Sequence, residues 1–231
     1  MTVYFKMHYA KLELVSTKQG NVMSVVRNKI LILFAHPSLE RSEVNKPLFN
    51  ASLRHQDVTA IDLYREYPTF DIDIEVEQQR LLDHDVIIFM FPLFWYSTPA
   101  ILKQWQDLVL EYGFAYGANG TALTDKVFFC VTTAGGAEAA YQQDGYNHFT
   151  LRELLHPIEQ TANLTHMKYL PPFALFSSRN AAEQGRITEH VDQFISLLTA
   201  CAEQRLDIQH AATLPLLNHA LTSAHTPLTG E

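Results

Sequence analysis

Five short apolar runs divide this chain, and segments with helical spacing fill the gaps between them. Lys29–Ala35 (KILILFA) is rich in β-branched and large aliphatic residues without alternation, the pattern of a strand buried on both faces. Val58–Leu63, Asp85–Phe91 (DVIIFMF) and Lys126–Thr133 (KVFFCVTT) are the next three strands, and a fifth falls within Met167–Ser177. Asp73 is placed to cap a helix running to about Asp83. Thr98 is expected to cap the next helix, with Pro99 at its first position. That helix puts Ile101, Leu102, Trp105, Leu108 and Val109 on one face, and Gly113 ends it. Thr150 and Glu153 form a capping-box pattern at the head of a helix that Pro157 is expected to kink. Asn180 and Glu183 open the last helix, where Ile187, Val191, Phe194, Leu198 and Cys201 step by four and three.

Strands alternating with helices at this spacing predict an α/β fold: a doubly wound, five-stranded parallel sheet with helices on both faces. Right-handed crossovers favour the flavodoxin-like strand order 2-1-3-4-5. Ligands of such sheets bind beyond the C-terminal strand ends, where the strand order reverses. The segments meeting there are 35–45, 92–96 and 132–141.

The three loops carry unusual residues. The first offers Ser42 and Asn45 as donors beside a helix start, with His36 and Arg41 as sources of positive charge, an arrangement suited to phosphate. Glu40 and Glu43 oppose this, Pro47 moves the helix start towards Asn45, and Ser42 acting as a plain cap is the alternative. The second loop holds Phe94, Trp95 and Tyr96, which either wall a flat ligand or cover the sheet end or a dimer interface. Pro92–Trp95 would supply an apolar face and edge amides for an isoalloxazine ring. The third, Thr133-Ala134-Gly135-Gly136, lets backbone approach a ligand closely. Tyr141 and His148 follow it as candidates for proton transfer, or as structural residues. No G-x-G-x-x-G or P-loop pattern follows the first strand, so neither a Rossmann-type dinucleotide site nor a nucleotide P-loop is expected.

Composition narrows the class. The 231 residues are 47% apolar, enough for one full core, and the net charge of −8 argues against a nucleic-acid partner. Cys130 and Cys201 sit in apolar patterns, as in a reduced cytoplasmic protein. The scattered histidines predict no metal site. The apolar pattern starts just after Met23, a candidate natural start. Residues 1–27 are therefore expected to be an N-terminal extension, 28–206 the domain and 207–231 a tail interrupted by Pro215 and Pro227. Both ends are candidates for packing on a neighbouring subunit.

Taken together, the motifs carry a family resemblance. Ala35-His36-Pro37 with Ser42 and Asn45, Leu63-Tyr64, and Tyr67-Pro68-x-Phe70-x-Ile72-Asp73-Ile74-x-x-Glu77-Gln78 come first. Pro92-Leu93-x-x-Tyr96-Ser97-x-Pro99-Ala100-x-Leu102-Lys103-x-Trp105, Gly113-Phe114-Ala115-Tyr116-Gly117, Thr132-Thr133 and Leu170-Pro171-Pro172-Phe173 follow in order. Over about residues 29–200 the chain resembles the flavodoxin-like NAD(P)H:quinone reductases. It is most similar to the ancillary subunits of Kef-type, glutathione-regulated potassium efflux systems.

The resemblance implies a flavin, FMN rather than the FAD of longer members, with NAD(P)H as co-substrate and a quinone as acceptor. By position, His36, Ser42, Glu43, Val44 and Asn45 would surround the phosphate. Pro92, Leu93, Phe94 and Trp95 would line the ring, and Thr133, Ala134, Gly135 and Gly136 its pyrimidine edge. Tyr141 matches the family's loop tyrosine with a one-residue change of spacing, while the histidine position falls on Asn147, beside His148. A homodimer with the site at its twofold interface is implied, and so is peripheral contact with a potassium/proton antiporter at the inner face of the cell membrane. Two rival readings stay open: a regulatory flavin-binding module with little catalysis, and a one-electron flavodoxin-type carrier.

Overall fold

The computed structural model describes residues 27–220. The expected N-terminal extension, apart from Arg27, and the tail beyond Ala220 lie outside the described residues. Six parallel strands run Ile30–Phe34 (β1), Val58–Asp62 (β2), Val86–Pro92 (β3), Val127–Thr133 (β4), Lys168–Tyr169 (β5) and Phe173–Leu175 (β6). Their order is β2-β1-β3-β4-β5, with β6 also pairing β4, which is the flavodoxin-like order read from the sequence. The expected fifth strand is split because Leu170-Pro171-Pro172 removes two backbone donors from the ladder. β5 pairs with the start of β4 and β6 with its end.

Every residue of β1 and β3 is buried. Successive side chains enter two separate cores: Leu31, Leu33 and Ala35 on one face, and Ile30, Ile32 and Phe34 on the other. The helices are α1 (Asn45–Ser52), α2 (Leu63–Glu66), α3 (Ile74–Leu82), α4 (Ala100–Val109), α5 (Leu151–Leu154), α6 (His156–Leu164), α7 (Arg186–Ala202) and α8 (Ile208–Thr213). Buried residues of α1 and α7 pack in the core with Ile30, while those of α3, α4, α5 and α6 pack in the core with Leu31.

Local chemistry explains the helix starts. Asp73 accepts from Val76 N–H at 3.1 Å, and Thr150 with Glu153 forms the reciprocal capping box, as expected. Three expectations need correction. Thr98 does not cap α4: Pro99 itself, at φ −56° and ψ 150°, is the cap residue, and its carbonyl accepts from Leu102 N–H at 3.1 Å. Pro157 does not kink one helix but separates two, since Leu155 (φ −96°, ψ 6°) ends α5 and Pro157 lies in the first turn of α6, where a missing N–H is harmless. The helix expected from Asn180 is α7, which begins at Arg186 behind left-handed Gly185, while Asn180 lies in a short 3-10 turn; α8 follows it.

One buried carboxylate joins three helices on the α4 face. Glu77 of α3 has no solvent exposure. It accepts from Tyr67 Oη (2.6 Å) and Trp105 Nε1 (2.8 Å) and pairs with Arg80. Arg80 reaches on to Glu66 of α2 at 2.7 Å. Burial and the adjacent Glu77 carboxylate push the Tyr67 phenol well above its ordinary ionisation range. Glu77→Ala strands an indole N–H and a phenol and leaves Arg80 with Glu66 alone, so it is expected to lower unfolding stability in urea by about 3–5 kcal/mol.

On the opposite face, His190 of α7 is buried and stacks on Phe173 at 4.6 Å, and its Nε2 has no partner among the described residues. Desolvation, with Arg186 adding to it, lowers its pKa to about 4 from 6.5. The unfolded chain therefore takes up this proton first, and the associated stability is lost as pH falls from about 6.5 towards 4. Between pH 7 and pH 5 this one group is expected to remove about 2 kcal/mol. Urea midpoints should show that loss shrinking in His190→Phe.

Candidate functional site

Parallel register brings the strand ends to one level: Phe34 opposite Met90, Pro92 opposite Thr133, and Thr133 opposite Leu175. The loops leaving these ends enclose a crevice with two adjoining parts. One, of about 450 Å³, is lined by His36, Ser38, residues 41–45 and 92–94, Thr133, Gly135, Ser178 and Arg179. The other, of about 590 Å³, lies among Leu93, Phe94, Trp95, Tyr96, Gly135, Gly136, Tyr141 and Arg179. These sizes suit a cofactor-scale ligand.

The first part is rich in donors. Ser42 Oγ accepts from Asn45 N–H at 2.9 Å and from Asn45 Nδ2 at 3.1 Å, so it caps α1 from outside the first turn and keeps its own hydroxyl proton free to donate. Asn45 Nδ2 also donates to Thr133 Oγ1 at 3.0 Å, tying the first loop to the third. Asn45 Oδ1 is buried with no donor among the described residues. Arg41 and Arg179 line this part, and neither shares a salt bridge with a carboxylate among the described residues. Glu40 is neutralised by Lys46, which removes one of the two opposing charges noted in the sequence.

His36 departs from its expected role as a cation. It is buried, desolvation lowers its pKa, and its Nδ1 accepts from Ser38 N–H at 3.1 Å. That bond fixes the neutral tautomer with the proton on Nε2, a donor without charge. The ring edge meets Phe94 at 5.9 Å.

The aromatic loop is a tight two-residue hairpin. Phe94 and Ser97 exchange backbone N–H bonds at 3.1 Å each, and Trp95 (φ 50°) and Tyr96 (φ 65°) occupy its tip. Both central residues are left-handed, as a type I′ turn requires, in positions that favour Asn or Gly. Leu93 N–H is spent on Thr133 O at 2.9 Å and Phe94 N–H on Ser97 O. Pro92 has no N–H, so of the edge amides expected from Pro92–Trp95 only that of Trp95 remains for a ligand. Trp95 is 93% exposed.

In the third loop Ala134 is fully buried behind the crevice, with its N–H on Leu175 O. Gly136 faces Tyr141 so closely that an added Cβ would lie 3.3 Å from the ring. Tyr141 is 7% exposed and lies against Phe176 at 5.3 Å. Burial, then the neighbouring Tyr96, raises its pKa, so the phenol keeps its proton at neutral pH.

His148 is not brought into the crevice. It is exposed, at φ 60°, while the adjacent Asn147 accepts from Tyr96 Oη at 3.2 Å and so reaches the second loop. Of the fifteen residues assigned above to flavin binding or proton transfer, thirteen line the crevice, as do Arg41 and Tyr96; buried Ala134 and exposed His148 do not. Ser38, Ser178 and Arg179 line it as well and were missed as site residues. The last two leave β6, whose C-terminal end the same strand-end rule would have included had the split fifth strand been located.

Two bulky residues in left-handed backbone carry a steric cost of about 1–2 kcal/mol each. Because the Trp95 side chain is almost wholly exposed, Trp95→Gly is expected to leave stability unchanged or raise it by up to about 1 kcal/mol in urea unfolding. A buried aromatic replaced in the same way would lose about 3–5 kcal/mol.

Residues 28–198 match a protein family described as having a flavodoxin-like fold, and the chain belongs to that family. It is 46% identical over 151 residues to the glutathione-regulated potassium-efflux system ancillary protein KefG of Cronobacter sakazakii, covering 65% of this chain and 82% of the relative. The general stress protein 14 of Treponema denticola, solved in complex with FMN, is 35% identical with a TM-score of 0.70, covering 75% of this chain and 99% of that one. An NADPH-quinone reductase from P. pentosaceus is 34% identical with a TM-score of 0.64, covering 80% and 99%.

Proposed function

We propose that this chain is an FMN-dependent NAD(P)H:quinone oxidoreductase that works as a homodimer. The observation carrying this reading is the division of the crevice into a donor-rich end and an aromatic end. Ser42, Ser178, the His36 Nε2 proton and two guanidiniums without carboxylate partners among the described residues suit the phosphate and ribityl hydroxyls of FMN. Leu93, Phe94 and Trp95 offer a flat apolar surface to its ring. The bound flavin supplies a centre that takes hydride from a dihydronicotinamide and returns two electrons to a quinone.

The chain's own residues then set geometry and protons. The Phe94–Ser97 hairpin holds the ring wall at a fixed height above β3, and the second part of the crevice leaves space for one planar substrate at a time. Tyr141, protonated and facing that space, is suited to donate its phenolic proton to a quinone oxygen as charge develops there. Trp95, Tyr96, Tyr112, Tyr146 and Phe149 are exposed aromatics. Such side chains suit burial against a second copy, which would also exclude water from the substrate space.

A second reading is favoured by the KefG relative. In it the chain docks on a potassium/proton antiporter at the inner face of the membrane and acts mainly as a flavin-binding regulator. No helix among the described residues is long and apolar enough to cross a membrane, and in this reading the contact is peripheral.

The purified protein is expected to be yellow or to bind added FMN, and to oxidise NADH or NADPH much faster when a quinone is present. A colourless protein that binds no FMN would sink both readings. Bound flavin without quinone-dependent turnover would leave the regulatory one. Trp95→Ala is expected to weaken FMN binding by about 1–2 kcal/mol, read from flavin fluorescence, because a stacked aromatic wall is lost.

A further inference from the structure

Residues 208–220 lie beyond the family match at 28–198, yet they pack on the domain at a defined place. Asp207 caps α8 through His210 N–H at 3.0 Å, and Ala211 is buried in the core beside α7. The chain then turns around the edge of the sheet. Leu216 is buried in the core that contains Tyr141, Leu151, Leu155 and Phe176. Its neighbour Leu217, fully buried, enters the other core with Phe173 and Phe194. Two consecutive side chains thus anchor on opposite faces of one sheet, which is possible only where the backbone wraps its edge.

At that edge Asn218 acts as a short substitute for a neighbouring strand. Its Oδ1 accepts from Ala174 N–H at 2.9 Å, and its Nδ2 donates to Ala174 O at 3.0 Å. Leu217 N–H donates to Pro172 O at 3.0 Å. Sealing an edge strand is a sufficient structural reason for such contacts, but two features connect them to the crevice. From Ala174 the chain leaves β6 and reaches Ser178 and Arg179, which line the crevice. Pro215 and Leu216 also close a cavity of about 170 Å³ whose other walls include Tyr141, Phe176, Glu138 and Arg152. Tyr141 therefore stands between two spaces, with the substrate side of the crevice in front and this tail-covered cavity behind.

We propose that the 214–220 segment is a positioning element for the crevice: Leu216 backs the ring of Tyr141, and Asn218 fixes the strand that delivers Ser178 and Arg179. Binding in the crevice and docking of the tail are then thermodynamically linked, each favouring the other. FMN as the crevice ligand rests on the reading above, whereas the placement of Tyr141 does not.

Leu216 and Leu217 form a built-in control, because both are buried leucines of the same segment and only Leu216 shares a core with Tyr141. Leu216→Ala, Leu217→Ala and the milder Leu216→Val are compared in the full chain, with Leu216→Val deciding if Leu216→Ala does not fold. The first readout needs no flavin: tyrosine labelled with ¹³C at Cζ, with the Tyr141 signal assigned by its loss in Tyr141→Phe and followed against pH. Changes at Leu216 are expected to move this signal and lower the pKa of the phenol, because water gains access behind the ring. Leu217→Ala should leave it in place. The second readout is FMN affinity, expected to fall on the order of fivefold for Leu216→Ala and by less than about twofold for Leu217→Ala. An unmoved Tyr141 signal, or equal effects of the two alanine variants, would overturn the proposal. Absence of FMN binding in the unsubstituted protein would overturn the functional reading while leaving the Tyr141 measurement decisive.

Discussion

A single carboxylate without solvent contact, Glu77, holds together the helical layer on which the aromatic side of the crevice rests. Its partners come from three stretches: Tyr67 after α2, Arg80 within α3 and Trp105 within α4. A buried charge is tolerated only when its lone pairs are met by well-placed donors, so these elements are confined to one mutual arrangement. α4 is also the helix entered from the Phe94–Ser97 hairpin, through the carbonyl of Pro99. Fixing Trp105 from below therefore limits where the aromatic loop can sit above. Gln78 strengthens the same layer by donating to Val109 O at 3.1 Å, and Gln104 by donating to Phe70 O at 2.9 Å.

This network changes how the family motifs are understood. Tyr67, Phe70, Glu77, Gln78 and Trp105 supported the resemblance, yet none of them lines the crevice: Tyr67, Glu77 and Trp105 bond to one another, Phe70 to Tyr67, and Gln78 to Val109 and Glu111. They are the frame, and the residues with chemical duties are a smaller set. Asn45 shows the difference at one position. It lies at the start of α1, but its amide spans to Thr133 at the end of β4, so its position along the chain carries no hint of its link to the third loop.

What was legible followed from how directly a side chain encodes its neighbourhood. The doubly buried strands were readable because parallel strands covered on both faces need continuous apolar runs, and Asp73 and Thr150 were readable because a short polar side chain is itself the cap. Thr98 looked the same but was displaced by Pro99, whose extended backbone already offered the first acceptor of α4. The sheet-end rule placed three of the loops correctly. It missed Arg179 because Pro171-Pro172 broke the strand that leads to it. His36 illustrates a different limit: its position was legible, but its charge depended on burial and on the Ser38 amide. Asn218 could not be read at all, since an amide pairing with a strand edge 44 residues away has no local pattern.

The crevice that results is unequal in its two halves, and the inequality has a physical logic. At the donor-rich end Asn45, Ser42 and Thr133 are locked by mutual hydrogen bonds, so donors are organised before any ligand arrives and little reorganisation is needed on binding. At the aromatic end Trp95 and Tyr96 sit in strained backbone with most of the indole in water, an arrangement with no benefit inside a single chain. Strain of this kind persists where function requires the geometry. A ligand ring on one side of the hairpin and a second copy on the other would bury the surfaces that the isolated fold leaves bare. On this view the rigid end selects the cofactor, and the exposed end becomes complete only when its partners are in place.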